Sequence, residues 1–339
     1  MIVEKDVIIV GAGPAGLSAA IFTQLDGWST LILEGNWIGG QVAIAYTVMN
    51  YPGFPPGDGA ILMKNLKEQV VSPLPKGVGA EIRNEMITEL DANERILTTE
   101  KNQYSAKAII LATGSTMQKL GIPGESEFVD RGVSYYAKND YKKFTGKKVL
   151  VVGGGNTTVK SVVLAKSEAE EVTWAHRGES MRAYPIMVRR LQKQGTPILY
   201  NTELKEIKEN DGMKEVFLVN NRTGEKKKMV VDWVVICVGT EPNTELARSA
   251  GIDFNREFIK VNGSMMTNKE GVFACGEVTG CKRRVISSAS SGADAGMAAS
   301  EYLALEKVKS GDIFEGAING KYAEEYLEML RKKEPKEEP

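Results

Sequence analysis

Two stretches of the chain repeat one pattern of apolar and polar positions. In each, a run of apolar, mostly β-branched residues stops at a glycine-rich turn, a helix-length segment follows, and a second short apolar run closes the unit. The first runs from Asp6-Val-Ile-Ile-Val-Gly11-Ala-Gly13-Pro14-Ala15-Gly16 to Leu31-Ile-Leu-Glu34. The second runs from Lys148-Val-Leu-Val-Val-Gly153-Gly-Gly155-Asn156-Thr157-Thr158 to Val172-Thr-Trp-Ala-His176. Strand, tight turn and helix within about 30 residues make a βαβ crossover, and two of them roughly 140 residues apart predict an α/β chain with two dinucleotide folds.

Near Ala112-Thr113-Gly114 and again near Val238-Gly-Thr-Glu-Pro242 an apolar strand ends in glycine and irregular sequence follows, which marks two crossing points between domains. The expected organisation is a first domain of residues 1–117 and 244–325, with a second domain of residues 118–243 inserted in it. A charged, proline-ended tail over 326–339 completes the chain.

At 339 residues the chain can bury two cores of ordinary size. Its 43 Lys and Arg nearly cancel its 44 Asp and Glu, which leaves no long-range field for nucleic acid. No apolar run reaches the length of about 18 residues that would span a bilayer. The chain passes from Met1 into the apolar run Val7-Ile-Ile-Val10 without the regions of a leader, so a cytoplasmic location is expected. Three cysteines, Cys237, Cys275 and Cys281, are too few for a disulfide framework, and no two have Cys-x-x-Cys spacing. The single histidine, His176, excludes His-rich metal sites and argues against a Ser-His-Asp machine. The chemistry is expected from bound groups rather than side chains.

In Gly11-x-Gly13-x-x-Gly16 the first glycine permits the tight turn, the second lets backbone approach a pyrophosphate, and the third lets helix and strand pack closely. With Pro14 and Ala15 they place the pyrophosphate at a helix N-terminus, where free N–H groups and the dipole favour an anion. Glu34 ends the second strand, where a carboxylate accepts hydrogen bonds from an adenosine ribose. The second motif, Gly153-x-Gly155-x-x-Thr158, is a weaker version, because β-branched Thr158 stands where glycine or alanine would allow close packing. With Asn156 and Thr157 it is the candidate nicotinamide-dinucleotide turn.

The run Gly39-Gly40-Gln41 with Thr47, then Asn50-Tyr-Pro-Gly53, resembles the flavin-binding stretch of low-molecular-weight thioredoxin reductases. Ala112-Thr113-Gly114, Ile122-Pro-Gly-Glu125, Gly239 with Pro242-Asn243, and Gly271-Val-Phe-Ala-Cys-Gly276-Glu277-Val-Thr279 resemble that family's later motifs in the same order, so the likeness covers roughly residues 5 to 305. It implies two Rossmann-like domains of the three-layer ββα type, the NAD(P) domain inserted in the FAD domain, and a homodimer through the FAD domains. It implies FAD as the first cofactor, with Glu34 on the ribose, Gln41 and Thr47 near the flavin, and Glu277 at the ribityl chain. Gly40, Asn50, Ala112, Thr113, Gly114, Gly276, Arg284 and Val285 belong to the same site. Glu277 stands for the family's Asp, and Arg284 for a glutamine; at the ring's pyrimidine edge Arg284 would favour negative charge, and its plainer role is to face solvent. NADH or NADPH is the second cofactor. The family's paired arginines, with a third four residues on, are represented after His176 by Arg177 and Arg182 only. Gly178 holds the middle place, and Glu179 would repel a 2′-phosphate.

The family's Cys-Ala-Thr-Cys follows a Gly-Val-Ser-Tyr stretch. Here Gly132-Val-Ser-Tyr135 is followed by Tyr136-Ala-Lys-Asn139, so Tyr136 and Asn139 occupy both cysteine positions. The expected activity is an NAD(P)H oxidase- or diaphorase-like transfer from flavin to an external acceptor such as oxygen, a quinone or a carrier protein. One alternative is a ferredoxin-NADP reductase of the same superfamily, with Lys138, Lys142, Lys143, Lys147 and Lys148 docking an acidic ferredoxin and residues 314–330, including Tyr322, Tyr326, Leu327 and Leu330, covering the flavin. Another is a non-catalytic FAD-binding or redox-sensor protein with a decayed nicotinamide site. No membrane partner is expected.

Overall fold

The computed structural model describes residues 2–45, 47–72 and 79–310. The stripe expected over 314–330 and the tail over 326–339 lie outside them. The chain divides into two compact units, parting between Ser115 and Thr116 and again between Glu241 and Pro242.

In the first unit, seven of the described strands form one sheet. Glu81–Asn84, Thr30–Glu34, Ile2–Val10 and Gln103–Leu111 lie parallel in that order, and Val272–Ala274 pairs with the end of Gln103–Leu111. The start of Gln103–Leu111 pairs antiparallel with Ile96–Thr99, which in turn pairs antiparallel with Ile87–Asp91. Successive residues of a strand point to opposite faces, so a strand covered on both sides is apolar throughout. That is why Val7-Ile-Ile-Val10 is a continuous run. Val7 and Ile9 join Ile32, Ala108 and Ile110 against the helices, while Ile8 and Val10 join Leu31, Leu33, Leu90 and Leu97 on the other face. Two helices, Pro14–Leu25 and Val285–Lys309, cover the first face. They approach closely because Gly292 and Gly296 lie against the backbone of Ala15 and Ala19, where a Cβ would collide.

The second unit repeats the plan. Ile198–Leu199, Glu171–Ala175, Lys148–Gly153, Trp233–Cys237 and Val133–Ser134 form a parallel sheet in that order. Thr202–Asn210, Met213–Asn220 and Lys226–Val231 form a three-stranded antiparallel meander. Val149 and Val151 pack toward helix Asn156–Lys166, and Leu150 and Val152 toward Leu204, Ile207, Val216 and Leu218 of the meander. Meander, sheet and helices are the three layers of a Rossmann-type fold. Among the described residues, no helix is long and apolar enough to cross a membrane.

The helix contact in the first unit is directly testable. Gly292→Val forces the two helices apart and is expected to cost about 3 kcal/mol, whereas Ser290→Ala on the exposed side costs under about 0.5 kcal/mol. Urea unfolding of the two variants checks the difference.

Candidate cofactor sites

The parallel strands of the first unit end together at Val10, Glu34, Leu111 and Ala274, and the expected flavin residues gather at those ends. Gly11 has φ +104° and lies against the carbonyl of Ala112, so a side chain fits neither the backbone angle nor the space. Gly13 is extended and has no atom within 4 Å of where a Cβ would sit. No side chain caps helix Pro14–Leu25, whose first turn is left to an anion. Gly16 packs on the carbonyl of Gly11, Gly276 on Ala15, and Gly40 next to Gly13. This is a cradle that a pyrophosphate fits. The buried Glu34 carboxylate accepts from the amides of Ala12 (2.7 Å) and Asn36 (2.8 Å), which fixes it beside the turn and leaves lone pairs for ribose hydroxyls.

A polar chain crosses the same region. The Gln41 amide donates to the Ser115 carbonyl (2.5 Å) and hydroxyl (2.8 Å), and that hydroxyl donates to Glu277. Thr113 and Asn243 are tied reciprocally at 2.7 and 2.8 Å, and the Asn243 amide donates to the Gly114 carbonyl at 3.0 Å. The family resemblance alone does not single out Ser115, yet it joins Gln41 to Glu277. Arg284 is exposed and donates to the Arg283 carbonyl at 2.9 Å. Arg283 instead stands 3.6 Å from the Glu277 carboxylate. Val285 opens the long helix half-buried, Thr47 is half-buried, and Asn50 is exposed.

The second turn copies the first. Gly153 has φ +143° and lies against the carbonyl of Cys237, and Gly155 faces open space as Gly13 does. Thr158 is not the packing defect its branching suggests. It is fully buried, and its hydroxyl accepts from the Gly155 amide (3.2 Å) and donates to the Cys237 carbonyl (3.3 Å). Asn156 accepts from the Tyr184 amide at 3.0 Å, and Thr157 is exposed in the first turn of its helix. His176, Arg177 and Arg182 come together at a cavity of about 270 Å³. Lys119, Glu203 and Lys205 line it too. Spacing gave no hint of these three, because Lys119 arrives from the segment that follows Met117, and Glu203 and Lys205 from the meander. Glu179 does not line the cavity and is ion-paired with Arg222.

At the positions of the absent dithiol, Tyr136 is half-buried and precedes the short helix Ala137–Asp140, within which Asn139 is exposed. Burial pushes the Tyr136 phenol above its ordinary value. The expected lysine patch is largely neutralised. Lys142 pairs with Glu168 (2.8 Å), Lys143 with Asp140 (2.7 Å) and Lys147 with Asp232 (3.3 Å), so their fields cancel within the surface. All three cysteines are free, with Cys237 and Cys275 buried and Cys281 half-buried. Burial pushes the Cys237 thiol up to about 11 and raises Cys275 and Cys281 as well. Thiolate is the reactive form, so none of the three is primed as a nucleophile at neutral pH.

Two outcomes are expected. Gly13→Val fills the pyrophosphate space and yields a folded protein, by circular dichroism, that has lost flavin absorbance. Because the Cys281 pKa is raised, its alkylation by iodoacetamide at pH 7 is slower than that of free cysteine and accelerates only above the ordinary thiol pKa; Cys237 and Cys275 react on unfolding. Peptide mapping after timed labelling checks both statements.

The chain matches the pyridine nucleotide-disulphide oxidoreductase family over residues 5–296. It is 36% identical over 305 residues to the thioredoxin reductase of Treponema pallidum, covering 88% of this chain and 97% of that protein. It is 36% identical over 303 residues to that of Bacillus subtilis, covering 88% and 94%. The crystal structure of Lactococcus lactis thioredoxin reductase superposes with a TM-score of 0.82 at 32% identity, over 88% of this chain and 99% of that one. The chain therefore belongs to the pyridine nucleotide-disulphide oxidoreductase family, as a thioredoxin reductase-like flavoenzyme that uses FAD and a reduced nicotinamide.

Proposed function

We propose that this chain is an NAD(P)H oxidoreductase that passes electrons from FAD directly to an external acceptor, with no protein dithiol between them. The observation that carries this reading is the pair Tyr136 and Asn139 at the two cysteine positions, together with three thiols of which none forms a Cys-x-x-Cys pair. Reduction of a protein disulfide by exchange needs a thiolate to attack and a second thiol to resolve. Raised thiol pKa values at all three cysteines oppose the first step.

FAD, when bound, supplies the redox chemistry, accepting a hydride from the nicotinamide and yielding electrons to the acceptor. The chain's own work is to bind, orient and exclude water. The Gly11–Gly16 turn holds one pyrophosphate at a helix N-terminus, and Glu34 accepts the ribose hydroxyls. The Gln41–Ser115–Glu277 chain offers polar groups to the ribityl stretch, and the Gly153–Thr158 turn holds the second dinucleotide. Two features that suggested a decayed second site, Thr158 and Gly178, both have packing reasons in the structure, which supports a working nicotinamide domain. The neutralised lysines weigh against docking of an acidic ferredoxin at that surface. A small acceptor such as oxygen or a quinone is the reading they favour.

The test is steady-state oxidation of NADPH and NADH with menadione and, separately, with oxidised thioredoxin, for the unaltered protein and for a variant carrying Cys237→Ala, Cys275→Ala and Cys281→Ser. Menadione reduction is expected in both proteins and thioredoxin reduction in neither. Thioredoxin reduction by the unaltered protein, or loss of menadione reduction in a cysteine-free variant that retains FAD, would sink the proposal.

A further inference from the structure

The loop carrying the second unit's cationic residues is stitched down independently of any ligand. The Arg182 and Ala183 amides donate to the Gly154 carbonyl at 2.9 and 3.1 Å, and the Asn201 amide donates to the Gly178 carbonyl at 3.1 Å. The Asn221 side chain donates to the Arg177 carbonyl at 2.7 Å. Inside this loop the His176 ring lies over Gly154, with Nε2 at 3.0 Å from the Ser180 carbonyl. A Cβ on Gly178 would stand 3.0 Å from the same nitrogen, closer than a side chain sits comfortably. A side chain at 178 would press on the His176 ring, and with glycine there the loop presents Arg177 and Arg182 as its cations.

Two lysines outside the family pattern add to these cations. Lys205 lies on strand Thr202–Asn210 and Lys119 two residues after Met117, and both line the cavity beside Arg177 and Arg182. Four cations thus face one carboxylate, Glu203, already held by Lys205 at 2.5 Å and by Asn221 at 3.1 Å. An ammonium has three donors, so Lys205 can keep Glu203 and still reach a phosphate oxygen. Glu179, the other acid in this stretch, has its charge taken up by Arg222. The balance suits a phosphate dianion far better than a bare ribose hydroxyl.

We propose that Lys205, assisted by Lys119, reads the adenosine 2′-phosphate of NADPH in place of the arginine missing at 178, and is a specificity-determining residue of this chain. This rests on the reading that the second unit takes a reduced nicotinamide dinucleotide. Arg177 and Arg182 grip the phosphate from the loop, and Lys205 closes on it from the meander.

Calorimetric titration of the FAD-loaded protein with adenosine 2′,5′-bisphosphate and with adenosine 5′-monophosphate tests it. The bisphosphate is expected to bind at least about tenfold tighter, and Lys205→Ala to remove about tenfold of that advantage. Lys119→Ala is expected to remove a smaller part, and Lys205→Arg to keep most of it. Equal binding of the two nucleotides, or a full advantage retained in Lys205→Ala, overturns the assignment. Stopped-flow flavin reduction by NADPH and NADH separates the two levels. Reduction by both donors at equal efficiency sinks only the lysine assignment, whereas no nucleotide binding and no reduction by either donor sinks the nicotinamide reading with it.

Discussion

Both units depend on one constraint, the close approach of two neighbouring strand ends at a glycine. Gly11 presses on the carbonyl of Ala112, and Gly153 presses on the carbonyl of Cys237, each at a positive φ that a side chain would not tolerate. That contact turns the chain sharply enough for the following helix to start directly over the sheet, with its N-terminus aimed along the strand ends. A helix N-terminus so placed is an anion site, and the open space at Gly13 and Gly155 leaves room for a pyrophosphate. The rest of each site is assembled around the same ends: Glu34 on the turn's own amides in the first unit, and Thr158 on the Cys237 carbonyl in the second. In this light Cys237 has a packing role that involves no thiol chemistry.

Much of this was legible in the sequence because it is local. The glycine spacing, the apolar runs and the acid at Glu34 lie within one βαβ unit, and each follows from backbone geometry that only certain residues permit. What was not legible comes from distant segments. Ser115 joins Gln41 to Glu277 across gaps of 74 and 162 residues, and no spacing rule reaches that far. The two adjacent arginines part in a way that spacing does not show: Arg283 stands 3.6 Å from the Glu277 carboxylate, and Arg284 donates to the Arg283 carbonyl. The lysine patch looked basic because its acids, Glu168 and Asp232, lie far along the chain. Thr158 and Gly178 read as losses when compared with a pattern, whereas each satisfies a contact with a neighbour, the Cys237 carbonyl in one case and the His176 ring in the other.

The replacement of both cysteines by Tyr136 and Asn139 changes what the scaffold can do without changing how it folds. The short helix Ala137–Asp140 is anchored by Asp140, which is buried and accepts from Ser134 (2.6 Å) and Lys143 (2.7 Å), while the Ser134 hydroxyl receives the Tyr136 amide at 3.1 Å. None of these bonds requires sulfur. The scaffold therefore keeps its local shape without a dithiol, and on the proposed reading electrons held by the flavin leave through an acceptor brought from outside.

On the proposed reading the flavin is the sole redox group, and an anaerobic reductive titration counts the electrons the protein takes up. With dithionite added in steps to the FAD-loaded protein, flavin absorbance is expected to be fully lost after about two electrons per FAD, the capacity of the flavin alone. A requirement for about four electrons per FAD would reveal a second two-electron centre in the chain and rule out a flavin-only enzyme.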